Sequence, residues 1–307
     1  MSQDRMKVVV IGSSGRLGSS LAEFLRADHE VTAIGRGQLD LASSRSIEEV
    51  LEPLNYDRLF ITGALTGVDY CETHEAEAFA VNAEGPGKIA EISSSKGAHV
   101  TYVSTDMVFD GAQVEPYAET DSANPISVYG ASKLAGEVRV LAASAKNLVV
   151  RVSWVYGPGR PAFPEWIIDK ACVEKDLTLP GNKICSPTYT LDLVRWMVAL
   201  AFVPPRETAQ GVFHLCNSGS CTWREWGQFC LTAARDAGIP VIAGEIVGIP
   251  VDSVAAFVAK RPVNSAMSTG KFTTTTGITP RDWTVALREH VIHCDSFKKY
   301  NAEPQSR

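Results

Sequence analysis

The sequence has no long hydrophobic run. Its longest apolar stretch covers about eight residues, whereas a membrane-spanning helix needs about 20. The first residues, MSQDRMKVVVIG, lead directly into an apolar strand pattern without the apolar region of a signal peptide. We therefore predict a cytoplasmic protein that does not enter a membrane.

Signals for metal and nucleic-acid binding are also lacking. The seven cysteines are scattered without CxxC or paired Cys/His spacing, which favours free thiols over disulfides or a zinc site. The six histidines include one close pair, His290 and His293, near the C-terminus, and we predict no metal site. The net charge of −6 and the lack of a basic run argue against a nucleic-acid partner.

Strand and helix patterns alternate along the first half of the chain. With 307 residues, 45% of them hydrophobic, the chain can bury one large or two unequal domains. The predicted strands are Lys7 to Ile11, Val31 to Ile34, Arg58 to Thr62, Val100 to Ser104 and Leu148 to Val152. The predicted helices include Glu75 to Asn82, Pro86 to Lys96 and Pro125 to Ala143. This alternation indicates an α/β fold with a doubly wound parallel sheet of the Rossmann type.

The second half of the chain has a looser pattern with Pro/Gly-rich turns. We predict a dinucleotide-binding domain over residues 1–155, to which some later segments return, and a smaller C-terminal α+β substrate domain over residues 156–307. Ligands bind parallel sheets at the carboxyl ends of the strands. The residues at these ends should therefore open onto one crevice, namely Gly12, Thr62, Ser104 and Val152.

A glycine pattern follows the first strand. In GSSGRLG, Gly12, Gly15 and Gly18 lack Cβ atoms and allow a pyrophosphate to approach the backbone amides at a helix N-terminus. Flexible loops use the same residues, but the position between a strand and a helix favours dinucleotide binding. Arg36, after the second strand, suits a 2′-phosphate and favours NADP(H), with NAD(H) as the alternative. Asp40 could contact the adenine or be a turn residue.

The stretch PISVYGASKLAGE places Tyr129 and Lys133 four positions apart. A helix starting near Pro125 would put both side chains on one face. A cation roughly 5 Å from the phenol would lower its pKa by about two units, which suits proton transfer. The alternative is an exposed helix with an incidental Tyr and Lys. Thr105, at the end of the fourth strand, could hydrogen-bond the same substrate oxygen, although a hydroxyl there is also ordinary turn chemistry.

Several stretches together resemble a known family. GSSGRLG, STDMVFDG and YGASK are similar to the extended short-chain dehydrogenase/reductase superfamily. Further stretches resemble the dTDP-4-dehydrorhamnose reductase family and occur in the same order along the chain as in that family. They are LDL (39–41), ALTGVDYCE (64–72), VNAEG (81–85), PYAETDSANPISVYGASKLAGE (116–137), RVSWVYG (151–157), SPT (186–188) and KRPVNS (260–265).

The resemblance implies NADPH- or NADH-dependent reduction of the 4-keto group of a dTDP 6-deoxysugar, the last step of dTDP-L-rhamnose synthesis. Thr105 would hold the keto oxygen, Tyr129 would supply the proton, and Lys133 would bind the nicotinamide ribose while lowering the pKa of the tyrosine. The positions expected to contact the dinucleotide are Gly12, Ser14, Gly15, Arg16, Leu17, Gly18, Arg36, Asp40, Leu41, Gly63, Ala64, Leu65, Tyr129 and Lys133.

The substrate-side positions follow from the same resemblance. They are Thr66, Val68, Asp69, Thr105, Asp106, Met107, Trp154 and Arg261. Trp154 would pack on the sugar ring, and Arg261 suits the substrate phosphates because a guanidinium binds oxygens in pairs. Departures from the family pattern cluster here: Met107 replaces a common Tyr, and residues 182–188 read NKICSPT where DQxGxPT is usual. These departures thus concern recognition of the sugar and its base rather than the reductase chemistry.

Two alternative functions stay open at this point. A sugar-nucleotide epimerase or dehydratase of the same superfamily would share the glycine turn and the Tyr/Lys pair, although dehydratases usually have a carboxylate pair directly after the threonine. A non-catalytic subunit similar to the regulatory β subunit of methionine adenosyltransferase would bind the dinucleotide and act through a partner. We predict a nucleotide-sugar substrate and leave the oligomeric state open, with a homodimer as one option.

Overall fold

The computed structural model describes residues 5–202 and 209–301. In chain order the strands are β1 (Lys7–Ile11), β2 (Glu30–Ile34), β3 (Arg58–Ile61), β4 (His99–Thr105), β5 (Leu148–Val152), β6 (Val155–Tyr156), β7 (Thr178–Pro180), β8 (Ile184–Cys185), β9 (Thr188–Tyr189), β10 (Gly211–His214), β11 (Cys221–Thr222) and β12 (Val247–Ile249). The helices are α1 (Arg16–Leu25), α2 (Ser44–Leu51), α3 (Val68–Thr73), α4 (Glu75–Phe79), α5 (Gly85–Ser95), α6 (Val128–Ala143), α7 (Phe163–Ala171), α8 (Thr190–Ala201), α9 (Trp223–Asp236), α10 (Gly270–Thr276), α11 (Trp283–His293) and α12 (Lys298–Asn301).

The central sheet has six parallel strands in the order β10-β5-β4-β3-β1-β2. Successive side chains of a strand point to opposite faces, so an apolar run such as Lys7–Ile11 can be buried on both sides. Val8 and Val10 belong to one hydrophobic core, and Val9 and Ile11 belong to another. Helices cover both faces, which confirms the predicted doubly wound α/β fold.

The five predicted strands are all present, with ends that differ by one residue at most. The helix predicted from Pro125 begins instead at Val128, because Ser127 is its N-cap and accepts a hydrogen bond from the backbone N–H of Gly130. The helix predicted over residues 75–82 is α4 followed by a π-helical turn at Ala80–Glu84. Side-chain caps and π turns depend on local hydrogen bonds that periodicity does not show.

The C-terminal half has its own core and also contributes to the large sheet. Trp226 lies at the centre of a third hydrophobic cluster that includes side chains of α7, α9 and α11. In contrast, Leu193 of α8 and Phe213 of β10 pack in the same core as Val8. The predicted domains, residues 1–155 with some later segments and residues 156–307, stay a prediction.

Across residues 5–202 and 209–301, none of the helices combines the length and apolar character that crossing a bilayer requires.

Candidate active site

A large cleft lies at the carboxyl ends of the central strands. Its volume is about 1390 Å³, larger than the roughly 300–1,000 Å³ of a typical one-ligand pocket. Residues from the ends of β1, β3, β4 and β5 line it together, namely Gly12, Thr62, Ser104 and Val152. The prediction of one shared crevice is therefore confirmed, and the cleft has room for a dinucleotide beside a second ligand.

The glycine turn forms one wall of this cleft. Gly12 has φ +89°, and a Cβ there would lie 2.3 Å from the backbone nitrogen of Gly63. A Cβ on Gly18 would lie 2.3 Å from the carbonyl oxygen of Gly12. Gly15 is the N-cap of α1, where no side chain caps the helix. The turn thus leaves backbone amides at a helix N-terminus free of side chains, which fits a pyrophosphate.

Arg16 follows the turn but makes protein contacts. Its guanidinium donates to the carbonyl of Gly157, and its Nη2 donates to the carbonyl oxygen of Pro161 at 3.1 Å. Burial lowers the pKa of Arg16, while Glu165 opposes that effect. Arg16 lines the cleft and ties the glycine turn to residues 157–161. Its predicted contact with the coenzyme stays a prediction.

The residues after β2 lie on the rim. Arg36 is exposed and lines the cleft, where its guanidinium can reach a phosphate. Asp40 also lines the cleft, and its carboxylate accepts the backbone N–H of Ala42 at 2.9 Å. The Asp40 backbone N–H donates to the hydroxyl of Ser46 at 3.1 Å. This Asx turn matches the turn role that the sequence left open for Asp40.

Thr105, Tyr129 and Lys133 come together on the cleft floor and are all buried. Thr105 ends β4, and the other two lie one turn apart on α6, so a strand end meets a helix face. The Thr105 hydroxyl donates to the carboxylate of Asp106 at 3.1 Å and accepts the backbone N–H of Met107 at 3.2 Å. The ammonium of Lys133 donates to the carbonyl oxygen of Val103 at 2.7 Å and lies 4.0 Å from the ring centroid of Tyr102.

The predicted lowering of the tyrosine pKa is wrong for the ligand-free chain. Burial raises the pKa of Tyr129 well above its usual range, the neighbouring Thr105 hydroxyl partly opposes this, and the charge of Asp106 adds to it. Burial lowers the pKa of Lys133 to about 7, against the effect of Glu137. The sequence argument assumed a half-solvated pair, whereas desolvation of both groups dominates here.

A buried ion pair behind this floor was missed by sequence reasoning. Glu137 accepts from the Ser104 hydroxyl at 2.5 Å and pairs with Arg151 at 2.7 Å, and all three residues are buried. Glu137 lies one helical turn after Lys133, and the Glu137 charge favours the protonated lysine. The available signal was a charged residue inside the otherwise apolar run LVVRV of β5.

Asn82 is a second residue that sequence reasoning missed. It is fully buried in the π-helical turn. Its amide exchanges two hydrogen bonds with the backbone of Leu65, at 2.9 and 3.0 Å, and donates to the Ser132 hydroxyl at 3.0 Å. Asn82 therefore fixes the loop after β3 against α6. The predicted positions of that loop that line the cleft are Gly63, Ala64, Leu65, Thr66 and Val68.

Trp154 lies on the substrate side of the cleft in a rare backbone conformation. Its φ is +45°, in the left-handed region that few non-glycine residues adopt. Its ring packs edge-on against Trp223 with the ring centroids 4.5 Å apart. Such a conformation is kept only where the surroundings impose it, often at binding sites. The other predicted positions that line the cleft are Ser14, Gly15, Leu17, Gly18, Leu41, Asp106 and Met107.

Arg261 and Asp69 form a bidentate ion pair. The Nη1 of Arg261 lies 3.0 Å and its Nη2 2.5 Å from the two carboxylate oxygens. This hydrogen bonding lowers the pKa of Asp69 to about 2. The backbone N–H groups of Val258 and Ala259 donate to the same carboxylate. Arg261 lines the cleft and Asp69 does not, so Asp69 orients the arginine from behind.

Comparisons with known proteins agree with this geometry. The model of the RmlD substrate binding domain matches residues 6–295. The chain is 32% identical to the spore coat polysaccharide biosynthesis protein SpsK of Bacillus subtilis, over 93% of this chain and 96% of SpsK. It is 31% identical to a dTDP-4-dehydrorhamnose reductase of Sinorhizobium fredii, over 93% of this chain and 97% of that protein.

A solved structure gives the same result. The crystal structure of dTDP-4-dehydrorhamnose reductase from Bacillus anthracis in complex with NADP matches with a TM-score of 0.87 and 27% identity, over 94% of this chain and 99% of that chain. The matches thus span both halves of the chain, including the glycine turn, the cleft floor and the C-terminal core. This chain belongs to the dTDP-4-dehydrorhamnose reductase family.

Proposed function

We propose that the protein reduces the 4-keto group of dTDP-4-dehydrorhamnose to form dTDP-L-rhamnose, with NADPH as the hydride donor. The observation that carries this proposal is the meeting of Thr105, Tyr129 and Lys133 on the floor of a cleft that begins at the glycine turn. Relatives named dTDP-4-dehydrorhamnose reductase support the substrate.

The three residues have distinct roles in this reaction. Tyr129 donates its phenolic proton to the keto oxygen as that oxygen gains negative charge. Because burial raises the pKa of Tyr129, the phenol stays protonated at neutral pH and is ready to donate. The Thr105 hydroxyl lines the same cleft floor as Tyr129 and hydrogen-bonds the same substrate oxygen. An ammonium has three N–H donors, so Lys133 keeps donors for the ribose hydroxyls beyond the one used on Val103.

NADPH is preferred over NADH because of the charge on the rim. The exposed guanidinium of Arg36 follows β2, where a 2′-phosphate would lie in a dinucleotide fold. The turn at Gly12 and Gly18 has no Cβ atoms at these positions and so leaves room for the pyrophosphate. Trp154 packs on the sugar ring, and Arg261 binds the substrate phosphates. The cytoplasmic location, the option of a homodimer and the smaller substrate domain stay predictions from the sequence.

The decisive experiment compares Tyr129→Phe with the wild-type protein. With NADPH and a panel of nucleoside-diphosphate 4-keto-6-deoxysugars, the wild type should oxidise NADPH in proportion to the sugar reduced. Loss of the proton donor should lower kcat by about 10²- to 10⁴-fold. Tyr56→Phe is the matched control, since Tyr56 bonds Ser93 away from the cleft and its loss should leave kcat unchanged.

Three results would contradict the proposal. If Tyr129→Phe kept the wild-type kcat, Tyr129 would not be the proton donor. Turnover without consumption of NADPH would indicate epimerisation or elimination. A wild-type protein that binds NADPH but reduces no ketosugar would favour the regulatory alternative.

A further inference from the structure

Lys183 is a fully buried lysine that the mechanism above does not use. It precedes β8, in the NKICSPT stretch, at a position where the family pattern usually has Gln. Its Nζ donates to the hydroxyl of Ser265 at 2.7 Å and to the carbonyl oxygen of Ile184 at 3.3 Å. A lysine in the interior is costly unless an anion or several acceptors compensate it.

The compensating anion is Asp106, which is also buried. Ser265 donates to Asp106 Oδ2 at 2.6 Å, and Ser153 donates to the same oxygen at 2.8 Å. Thr105 donates to the other carboxylate oxygen at 3.1 Å. Lys183 and Asp106 are thus opposite charges joined through one hydroxyl.

The direction of these hydrogen bonds follows from chemistry. An ammonium can only donate, and a carboxylate can only accept. Ser265 has a single hydroxyl proton, so it accepts from Lys183 and donates to Asp106. The chain of contacts therefore runs from Lys183 through Ser265 and Asp106 to the catalytic Thr105.

The charges of Lys183 and Asp106 explain why this series of hydrogen bonds matters for the reaction. The negative charge of Asp106 raises the pKa of Tyr129, as does the thiol of Cys71 across the same cluster. On α6, Lys133 faces Tyr102 rather than Asp106. Burial lowers the pKa of Lys183, whereas the Asp106 charge raises it and so favours the ammonium form; the charge of Arg261 acts against this.

We propose that Lys183 is a positioning residue, the counter-ion that acts through Ser265 to neutralise Asp106 and so holds Thr105 and Tyr129 ready for proton transfer. The proposal rests on the reductase function. Without Lys183, Asp106 would hold the Thr105 proton more strongly and place an uncompensated negative charge beside the phenol. The proton would then be harder to remove from Tyr129.

The first test uses Lys183→Met, a variant of similar length without the charge. The readout is the pH profile of kcat for oxidation of dTDP-L-rhamnose with NADP⁺, in which Tyr129 must accept the proton. The rising limb should move to higher pH by about one unit in Lys183→Met, and KM should stay within about two-fold. Asp106→Asn should move the limb to lower pH, and the double variant should return it towards the wild-type position.

Lys175→Met is the matched control, because Lys175 is an exposed lysine in the same region of the chain, and its profile should equal that of the wild type. If Lys183→Met does not fold, Ser265→Ala keeps the lysine, removes the link and should show the same upward shift. An unchanged limb in these variants overturns the proposal. An increase in KM alone also overturns it, because Lys183 would then bind the substrate directly.

A second measurement does not need turnover. Lys183→Met and Asp106→Asn should each lower Tm, and the double variant should lower it by less than the sum of the two, because each single change leaves a buried charge without its partner. Additive losses would overturn the pairing. A wild-type protein that reduces no ketosugar would refute the proposed function, while this cycle would still decide whether Lys183 and Asp106 are coupled.

Discussion

Lys133 shows how a buried charge in the cleft costs stability. Its ammonium is buried with one carbonyl partner, the Val103 oxygen, and lies over the Tyr102 ring. Burial lowers the pKa of Lys133 from the model-peptide value of 10.5 to about 7. The residue is thus held in a position that the empty protein disfavours, as expected where function and stability compete.

We predict that Lys133→Met stabilises the ligand-free protein most at low pH. Between pH 7 and 10.5 the unfolded wild type binds more protons at this group than the folded one, so wild-type stability rises with pH. The gain in free energy of unfolding of Lys133→Met over the wild type should therefore shrink by on the order of 3 kcal/mol between pH 6 and 10.

Denaturant unfolding at several pH values, without coenzyme, measures this difference. Lys175→Met, which changes an exposed lysine, should show no such trend. A constant difference between Lys133→Met and the wild type across the whole range would contradict the prediction.

At the scale of elements, one buried ion pair joins α7 to α11. Glu165 and His290 are both buried, with Glu165 Oε1 lying 2.7 Å from His290 Nε2. The other carboxylate oxygen accepts the backbone N–H of Ala162 at 2.8 Å. Burial lowers the pKa of His290, but hydrogen bonds with Cys294 and Glu165 and the Glu165 charge outweigh it and raise the pKa to about 9.

We predict that Glu165→Gln lowers the free energy of unfolding by about 3 kcal/mol at pH 7, since it leaves a buried imidazolium unpaired. The control is Asp236→Asn, which breaks the exposed pair with Arg288 and should cost less than about 1 kcal/mol. Equal losses in the two variants, measured by denaturant unfolding, would contradict this prediction.

The same pair predicts a pH dependence of stability. The folded pKa of His290 lies above its unfolded value of 6.5, so its contribution is complete below pH 6.5 and is lost as pH rises through about 9. The wild type should lose stability over this window relative to His290→Gln. The stability contribution of His290 falls as pH rises, whereas that of Lys133 increases. Both His290→Gln and Lys133→Met are therefore needed to separate the two contributions.

At the scale of the whole molecule, two arginines hold the cleft together. Arg16 ties the glycine turn to residues 157–161, and Arg261 ties residues 257–261 to α3 through Asp69. Phe257 packs against the guanidinium of Arg261, whose Cζ lies 3.7 Å from the centroid of the Phe257 ring. Both arginines line the cleft, and each contact joins segments that are more than 140 positions apart in the sequence.

We predict that Asp69→Asn raises KM for the nucleotide sugar by about ten-fold and leaves kcat within about two-fold, because Arg261 loses the partner that orients it. Steady-state kinetics at saturating NADPH measure both constants. Glu23→Gln changes an exposed carboxylate on α1 and should alter neither. A fall in kcat with unchanged KM would place Asp69 in the chemical step instead.

Much of the fold and of the site could be read from local patterns. Runs such as KVVVI and LVVRV have the β-branched composition of buried strands, and the turn at Gly12 needs a residue without a Cβ. The i, i+4 spacing of Tyr129 and Lys133 on a helix is a property of the helix itself. These features depend on neighbours in sequence, so the sequence by itself determined where the strands lie along the chain, the glycine turn and the shared helix face of Tyr129 and Lys133.

Only the tertiary structure decided which partners the charged groups have. The contacts of Lys183 with Ser265, of Ser265 with Asp106 and of Arg261 with Asp69 join residues 82, 159 and 192 positions apart. Periodicity contains no information about such pairs, because they form only when separate elements pack. The pKa of Tyr129 rises instead of falling for the same reason: burial is a property of the packed molecule, and it is the largest cause of the shift.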